Sequence, residues 1–344
     1  MKTPITISAG LAIVAGIFFS AFVTAPVTHA QPHMVYAVLQ DEGNLAVVDP
    51  EKGRLIQRIQ IGRKPDMIAL NENDTKVYIS NTGDVTVSIV TLSSRSVTQV
   101  LRLPVNRRGI YAGPLTRTPD GLKIFVAERS ETADEDLRIY VIDTRKELIV
   151  RQFDGGKNIA AMSVSYDGGK LFVLNRGEGV SVYDAETCEK LGTVELIAGF
   201  AADAAGLACS PTAPKGYITY GTRNTVQAFN TESYKNTATI PMPKYKTGNQ
   251  TDVVFGRDGR YAFVINRKNT LKEVNGVNVI DAASDTVVKL FNSGVVRRGI
   301  MTSPDGKICY IAAEDLKWYN METLEHIRSI SLRTTIAGIA VVNK

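Results

Sequence analysis

The chain has 344 residues, 44 % of them apolar, and a formal net charge of +5. That composition excludes a disordered or low-complexity polypeptide, and so small a charge excess names no polyanionic partner by itself. Three cysteines, an odd count, exclude a framework in which every thiol is bridged.

At the N-terminus, Lys2 precedes an uncharged stretch from about Gly10 to Val23, and the Thr28-His29-Ala30 step offers the small residues a signal peptidase reads. An apolar run of about 14 residues falls short of the roughly 20 that a bilayer span needs. Residues 1–30 are therefore expected to be a removable secretory signal. The product would begin near Gln31, reside in the periplasm or outside the cell, and have no membrane insertion. Losing Lys2 and no acid would leave 39 basic against 35 acidic residues, or +4.

From there a single unit recurs. A basic residue opens one strand at Lys76 (KVYISN), Lys123 (KIFVAE), Lys170 (KLFVLN), Lys215 (KGYITY), Arg260 (RYAFVIN) and Lys307 (KICYIA), in steps of 47, 47, 45, 45 and 47 residues. So steady a period is the signature of a repeat architecture. Ahead of this strand, four copies carry an Asp-Gly turn, at Asp120, Asp167, Asp258 and Asp305. Behind it come a polar loop and a strand ending in Asp, Asn or Thr, with seven copies closing at Asp49, Thr91, Asp143, Asp184, Asn230, Asp281 and Asn320. An alternating strand such as RLIQRIQI and a Gly-containing stretch such as RRGIMT complete the unit.

Four short antiparallel strands, seven times over, with no helix-length periodicity, describe an all-β, seven-bladed β-propeller. Residues 31–344 form one domain on this reading, although length alone suggests two. The register of the ends adds a closure. Val35 to Gln40 is the second strand of a blade, so Thr335 to Val342 is expected to supply the missing innermost one, pairing C-terminus with N-terminus and removing a sheet edge. Cys188, Cys209 and Cys309 fall in different blades and read as small buried hydrophobes.

VYISNTGDVTVSIV, from Val77 to Val90, resembles the YVTN-type propeller repeat, and FVLNRGEGVSVYDAET from Phe172 looks like a further copy. Over essentially the whole product the chain is similar to the exported YncE-like members of that family. The resemblance implies the fold. It leaves function open, since such propellers serve as surface proteins, binding modules, lactonase-like enzymes and subunits of redox enzymes.

In an up-and-down blade, the innermost strand begins and the second strand ends on the same face. Entries to the innermost strands carry Arg63 and Lys64, Arg107 and Arg108, Lys157, Lys244 and Lys246, Arg297 and Arg298, and Arg333. Loops between second and third strands add Arg129, Arg176, Arg223, Arg267 and Lys268. Converging cations at a concave mouth focus the field, and Arg forks suit carboxylates or phosphates. Arg63, Lys64, Arg107, Arg108, Lys157, Arg297 and Arg298 are thus the candidate anion site. The alternative is local pairing with Glu128, Glu131, Asp134, Glu135, Asp136, Glu178 and Glu314. ERSETADED, from Glu128 to Asp136, reads as an exposed insertion.

Enzymatic signals are few. Only His33 and His326 lie outside the signal, which argues against a histidine triad or metal cage. No Cys-x-x-Cys-His, Walker or dinucleotide motif occurs, and no cofactor is expected. Asp66 and Asp252, at the starts of innermost strands, are the candidates for a divalent metal. The leading expectation is a non-enzymatic binding or scaffold propeller for an anionic ligand or a partner protein, such as an enzyme or redox subunit. A metal-assisted lactonase-like hydrolase is the alternative. Single-stranded nucleic-acid binding is the second, with Tyr111, Phe200, Tyr245 and Trp318 as scattered stacking candidates.

Overall fold

The computed structural model describes residues 32–132, 134–242, 249–267, 275–297 and 299–344. These form seven four-stranded antiparallel sheets. In chain order, the first blade comprises Pro65–Leu70, Lys76–Asn81, Thr86–Thr91 and Ser96–Arg102, from innermost to outermost strand. The second comprises Ile110–Arg117, Lys123–Ser130, Asp136–Asp143 and Leu148–Lys157, and the third Ile159–Val164, Lys170–Asn175, Gly179–Asp184 and Lys190–Thr193. Ala204–Cys209, Lys215–Tyr220, Thr225–Asn230 and Asn236–Pro241 make the fourth, after a 3-10 turn at Ala201–Asp203. The fifth is Asn249–Phe255, Tyr261–Arg267, Gly276–Asp281 and Thr286–Phe291, and the sixth Ile300–Thr302, Ile308–Ala312, Leu316–Asn320 and His326–Ile330. The seventh joins both ends of the chain, in the order Ile336–Asn343, His33–Leu39, Asn44–Asp49 and Arg54–Gln60. Each innermost strand lies beside that of the next blade, and Ile336–Asn343 beside Pro65–Leu70 closes the ring. The expected closure is therefore present, with Val35 opposite Val341 and Met34 opposite Val342.

Both faces of each middle strand are covered by neighbouring blades, which is why these segments read as continuous apolar runs rather than as alternation. In His33–Leu39, Met34, Tyr36 and Val38 pack with Val77 and Ile79 of the first blade. Val35, Ala37 and Leu39 point the other way, against Tyr310 and Trp318 of the sixth. Alternation becomes visible at the rim, where Ser96–Arg102 switches between exposed positions and half-buried or buried ones. Outermost strands also carry cations such as Arg54, Arg328 and Lys289, which protect an otherwise open edge.

The recurrent turn has a specific chemistry. In Thr118-Pro-Asp-Gly121, the Thr118 hydroxyl donates to Asp120 (2.5 Å) and accepts the Lys123 amide (3.1 Å). Ser165 repeats this with Asp167 and Lys170, and Ser303 with Asp305 and Ile308. Gly121 and Gly306 sit at φ +69° and +70°, where a side chain would be strained. On the same face, where the third strand turns into the fourth, the Asp143 carboxylate accepts the amides of Arg145 and Lys146, and Asp184 and Asp281 do the same in their blades. These turns fix where each innermost strand ends and which loops share a face. Cys188, Cys209 and Cys309 are free and buried, in three different blades.

Candidate functional site

The face on which innermost strands begin gathers most of the expected cations, and the structure divides them into two groups. Arg63 and Arg107 are paired. The Arg63 amide and Nε both donate to Asp84 (2.9 and 2.7 Å), and Nη2 donates to the Gly83 carbonyl at 2.7 Å. Burial pushes the Asp84 carboxyl up, but the Arg63 amide and guanidinium outweigh it and hold it below its ordinary range. Arg107 reaches Glu128 (2.7 Å), the Asp136 carbonyl (3.0 Å) and Glu135 (3.5 Å).

Glu128 corrects the expectation of a wholly exposed acidic insertion. It lies in the second strand of its blade, is 1 % exposed, and accepts from Arg107, the Arg138 amide (2.9 Å) and the Tyr140 hydroxyl (2.7 Å). Burial, and then this bond, raise the Tyr140 phenol. A buried carboxylate with three donors is a satisfied group.

Lys64, Arg108 and Arg297 are exposed and form no ion pair among the described residues, and Lys157 is half-buried with none. Lys64 has a left-handed backbone (φ 46°), locked because its carbonyl accepts both the amide and hydroxyl of Thr82 (3.0 and 2.7 Å). Arg298, Lys244, Lys246, Tyr245 and Lys268 lie outside the described residues. Arg223 lies 3.8 Å from Asp203 and 4.6 Å from the centre of the Phe200 ring.

Asp252 is buried in a bulged part of its innermost strand, with its carboxylate accepting the Val253 amide at 2.9 Å. It lines the central channel, whereas in the first blade the lining starts one residue beyond Asp66, at Met67. Among the described residues, no group of three or more His, Cys, Asp or Glu side chains is placed to hold a metal ion.

Among the described residues several hollows open on this face, one of about 500 Å³ beside the paired Arg107 and Glu128. A broad groove of about 730 Å³ mixes Arg63, Lys64 and Arg129 with Asp41, Glu42 and Glu131, so its charges largely cancel. Beside it, a pocket of about 220 Å³ lies between the second and third blades, where Arg129 and Arg176 converge with Ser130, Thr132 and Asn158. Arg129 follows Glu128 at the end of one second strand, and Arg176 directly follows another. The Arg176 amide donates to the Asn158 carbonyl at 3.1 Å, which fixes the loop at the pocket's edge. The sequence places both arginines on this face but not in one pocket, because adjacency across blades follows from ring packing.

A family model described as "Domain of unknown function (DUF5074)" matches residues 158–342. No curated protein sequence matches the chain. Among solved structures, a functionally unknown protein from Desulfotomaculum acetoxidans is similar over 90 % of this chain and 99 % of its own, at 12 % identity and a TM-score of 0.73. A chain of Kuenenia stuttgartiensis hydrazine synthase is similar over 81 % of this chain and 95 % of its own, at 18 % identity and a TM-score of 0.66. Dihydro-heme d1 dehydrogenase NirN in complex with DHE is similar over 89 % of this chain and 74 % of its own, at 12 % identity and a TM-score of 0.62. Likeness at such identities speaks to the seven-bladed fold alone.

Proposed function

The chain belongs to the DUF5074 family, and from that premise we propose that it is an exported, non-enzymatic binding propeller that engages an anionic ligand, or an acidic surface of a partner protein, on the face where its innermost strands begin. The observation that carries this reading is the convergence of Arg129 and Arg176, from adjacent blades, on one small polar pocket with Ser130, Thr132 and Asn158. Planar arginine donors, beside a Ser130 and Thr132 hydroxyl pair bonded to each other (3.2 Å), suit the acceptors of a carboxylate or phosphate. The exposed cations Lys64, Arg108 and Arg297 on the same face would raise the local anion concentration. In this reading the protein is of the YVTN-repeat, YncE-like kind, loses residues 1–30 on export, and works in the periplasm or outside the cell.

The probe is citrate, with inorganic phosphate as a second anion, followed by calorimetry at low and high salt. Binding should be salt-sensitive, and the double variant Arg129→Glu, Arg176→Glu should abolish it. Unchanged citrate binding in that variant removes the pocket. N-terminal sequencing of the exported protein should begin near Gln31.

A further inference from the structure

The opposite end of the channel carries a second arrangement, built from other residues. All seven innermost strands line an open cavity of about 340 Å³. Its wall is mainly apolar, with Met67, Met162 and Met301 from three separate blades contributing flexible, polarisable side chains. At the turn-face mouth stand two arginines. Arg117, the last residue of its strand, donates Nη1 to the carbonyls of Leu70 (3.3 Å) and Asn71 (3.1 Å) and lies 3.5 Å from Asp74 Oδ1. Arg257 comes from the fifth blade, yet its Nη2 reaches the Val341 carbonyl of the seventh (2.9 Å) and Asp74 Oδ2 of the first (3.5 Å). Both guanidinium-bearing residues line the cavity, with side chains 31 % and 24 % exposed.

One carboxylate held between two guanidiniums leaves one positive charge at the rim. Asp120, the other acid near Arg117, accepts the Thr118 hydroxyl and the Leu122 amide of its own turn; its carboxylate also pulls on Arg117, but it is exposed and screened by solvent. Burial first, and then the like charge of Arg257, push the Arg117 guanidinium down, against the pull of Asp74. Inside the channel, the Asp252 carboxylate is turned to the Val253 amide. An apolar cavity beneath a cationic rim has the make-up of a small-molecule site, in which a few polar groups orient an apolar body.

We infer that the channel is a binding site for an amphipathic monocarboxylate, its head between Arg117 and Arg257 and its hydrocarbon body along the methionine-lined wall. At about 30 Å³ per water-sized group, the cavity holds roughly ten non-hydrogen atoms, which sets the length at about that of octanoate. The site is separate from the Arg129 and Arg176 pocket, since the two lie at opposite ends of the innermost strands.

The test is calorimetric titration of the full protein with octanoate, and with octanol as the uncharged control. Octanoate should bind at least ten-fold more tightly than octanol. Arg257→Gln should weaken octanoate at least ten-fold and leave octanol unchanged. Met301→Trp, which fills the wall, should remove both. Asp74→Asn should tighten octanoate several-fold, a gain that misfolding cannot mimic, and Asn tolerates the left-handed backbone at that position (φ 53°). The Arg129→Glu, Arg176→Glu variant should bind octanoate normally, so failure at one face is distinguishable from failure at the other. No detectable octanoate binding at millimolar concentration, or equal affinity in the Arg257→Gln and Asp74→Asn variants, overturns the inference.

Discussion

Val35 of the first described strand stands opposite Val341 of the last, so the ring is held shut by hydrogen bonds between the two ends of the sequence. Val341 is fully buried, and Ile336 and Ala337 are within 1 % of it. Removing residues 335–344 would strip the inner side of His33–Leu39 and uncover the flanks of the first and sixth blades. Each large apolar side chain lost from such a site costs about 1.5–3 kcal/mol, and several together exceed the 5–15 kcal/mol by which domains are stable. The truncated protein should lose its cooperative thermal transition. A midpoint equal to that of the full chain contradicts the closure.

Gly206 gives a second prediction. A Cβ at this position in the fourth blade would stand 2.5 Å from the Asp252 Cα and 2.8 Å from Thr219 Oγ1. The near neighbour is backbone of the fifth blade and cannot swing away. Gly206→Ala should therefore destabilise by about 1–3 kcal/mol through overpacking, seen as a lower denaturant midpoint. An unchanged midpoint would mean that the two innermost strands can slide apart without cost.

Fold and site differ in how far they can be read from sequence, and the reason lies in the range of the interactions. The turn at Ser303-Pro-Asp-Gly306 is made by contacts within five residues, so the same letters recur wherever the same turn does. Counting the strand ends that close at Asp49, Thr91, Asp143, Asp184, Asn230, Asp281 and Asn320, each a similarly local signal, gives the blades, and the register of Val35 to Gln40 gives the closing strand. Arg257 is opaque by the same logic. It sits in a Gly-Arg-Asp-Gly turn and reads as a hairpin residue, yet its partners lie in the first and seventh blades. Glu128 was hidden differently: it opens a run of acids that looks solvated, and only the placement of Tyr140 and Arg107 shows that its carboxylate is enclosed.

Acid should weaken the blade turns in a defined sense. Asp143 is held below its ordinary pKa first by the Lys146 amide, Asp184 by the Thr187 amide, and Asp281 by the Ser284 amide. A group whose folded pKa is depressed contributes stability above its unfolded pKa, about 3.9 for Asp, and loses it as pH falls through the folded value. The melting temperature should thus drop below about pH 4. Asn230 and Asn320 already fill the same turn position with a neutral acceptor. The triple variant Asp143→Asn, Asp184→Asn, Asp281→Asn should fold, melt somewhat lower than wild type at pH 7, and converge on it toward pH 3. Parallel melting curves across that range would show that these turns contribute nothing to the acid response.

Glu128 allows the enclosed carboxylate to be tested against the exposed one. Glu128→Ala leaves the Tyr140 hydroxyl and the Arg138 amide without their acceptor, and Tyr140 is fully buried. Stranded donors of this kind cost about 1–3 kcal/mol each. Arg107 is 39 % exposed and can turn to water, so its own loss adds less. The variant should be destabilised by about 2–4 kcal/mol in denaturant titration, by the same reasoning. Glu131→Ala, in the same acidic run but with a carboxylate that, among the described residues, accepts from the solvent-exposed Tyr111 hydroxyl, should fall within about 0.5 kcal/mol of wild type. Equal effects of the two substitutions would return Glu128 to the solvated loop that its sequence neighbours suggest.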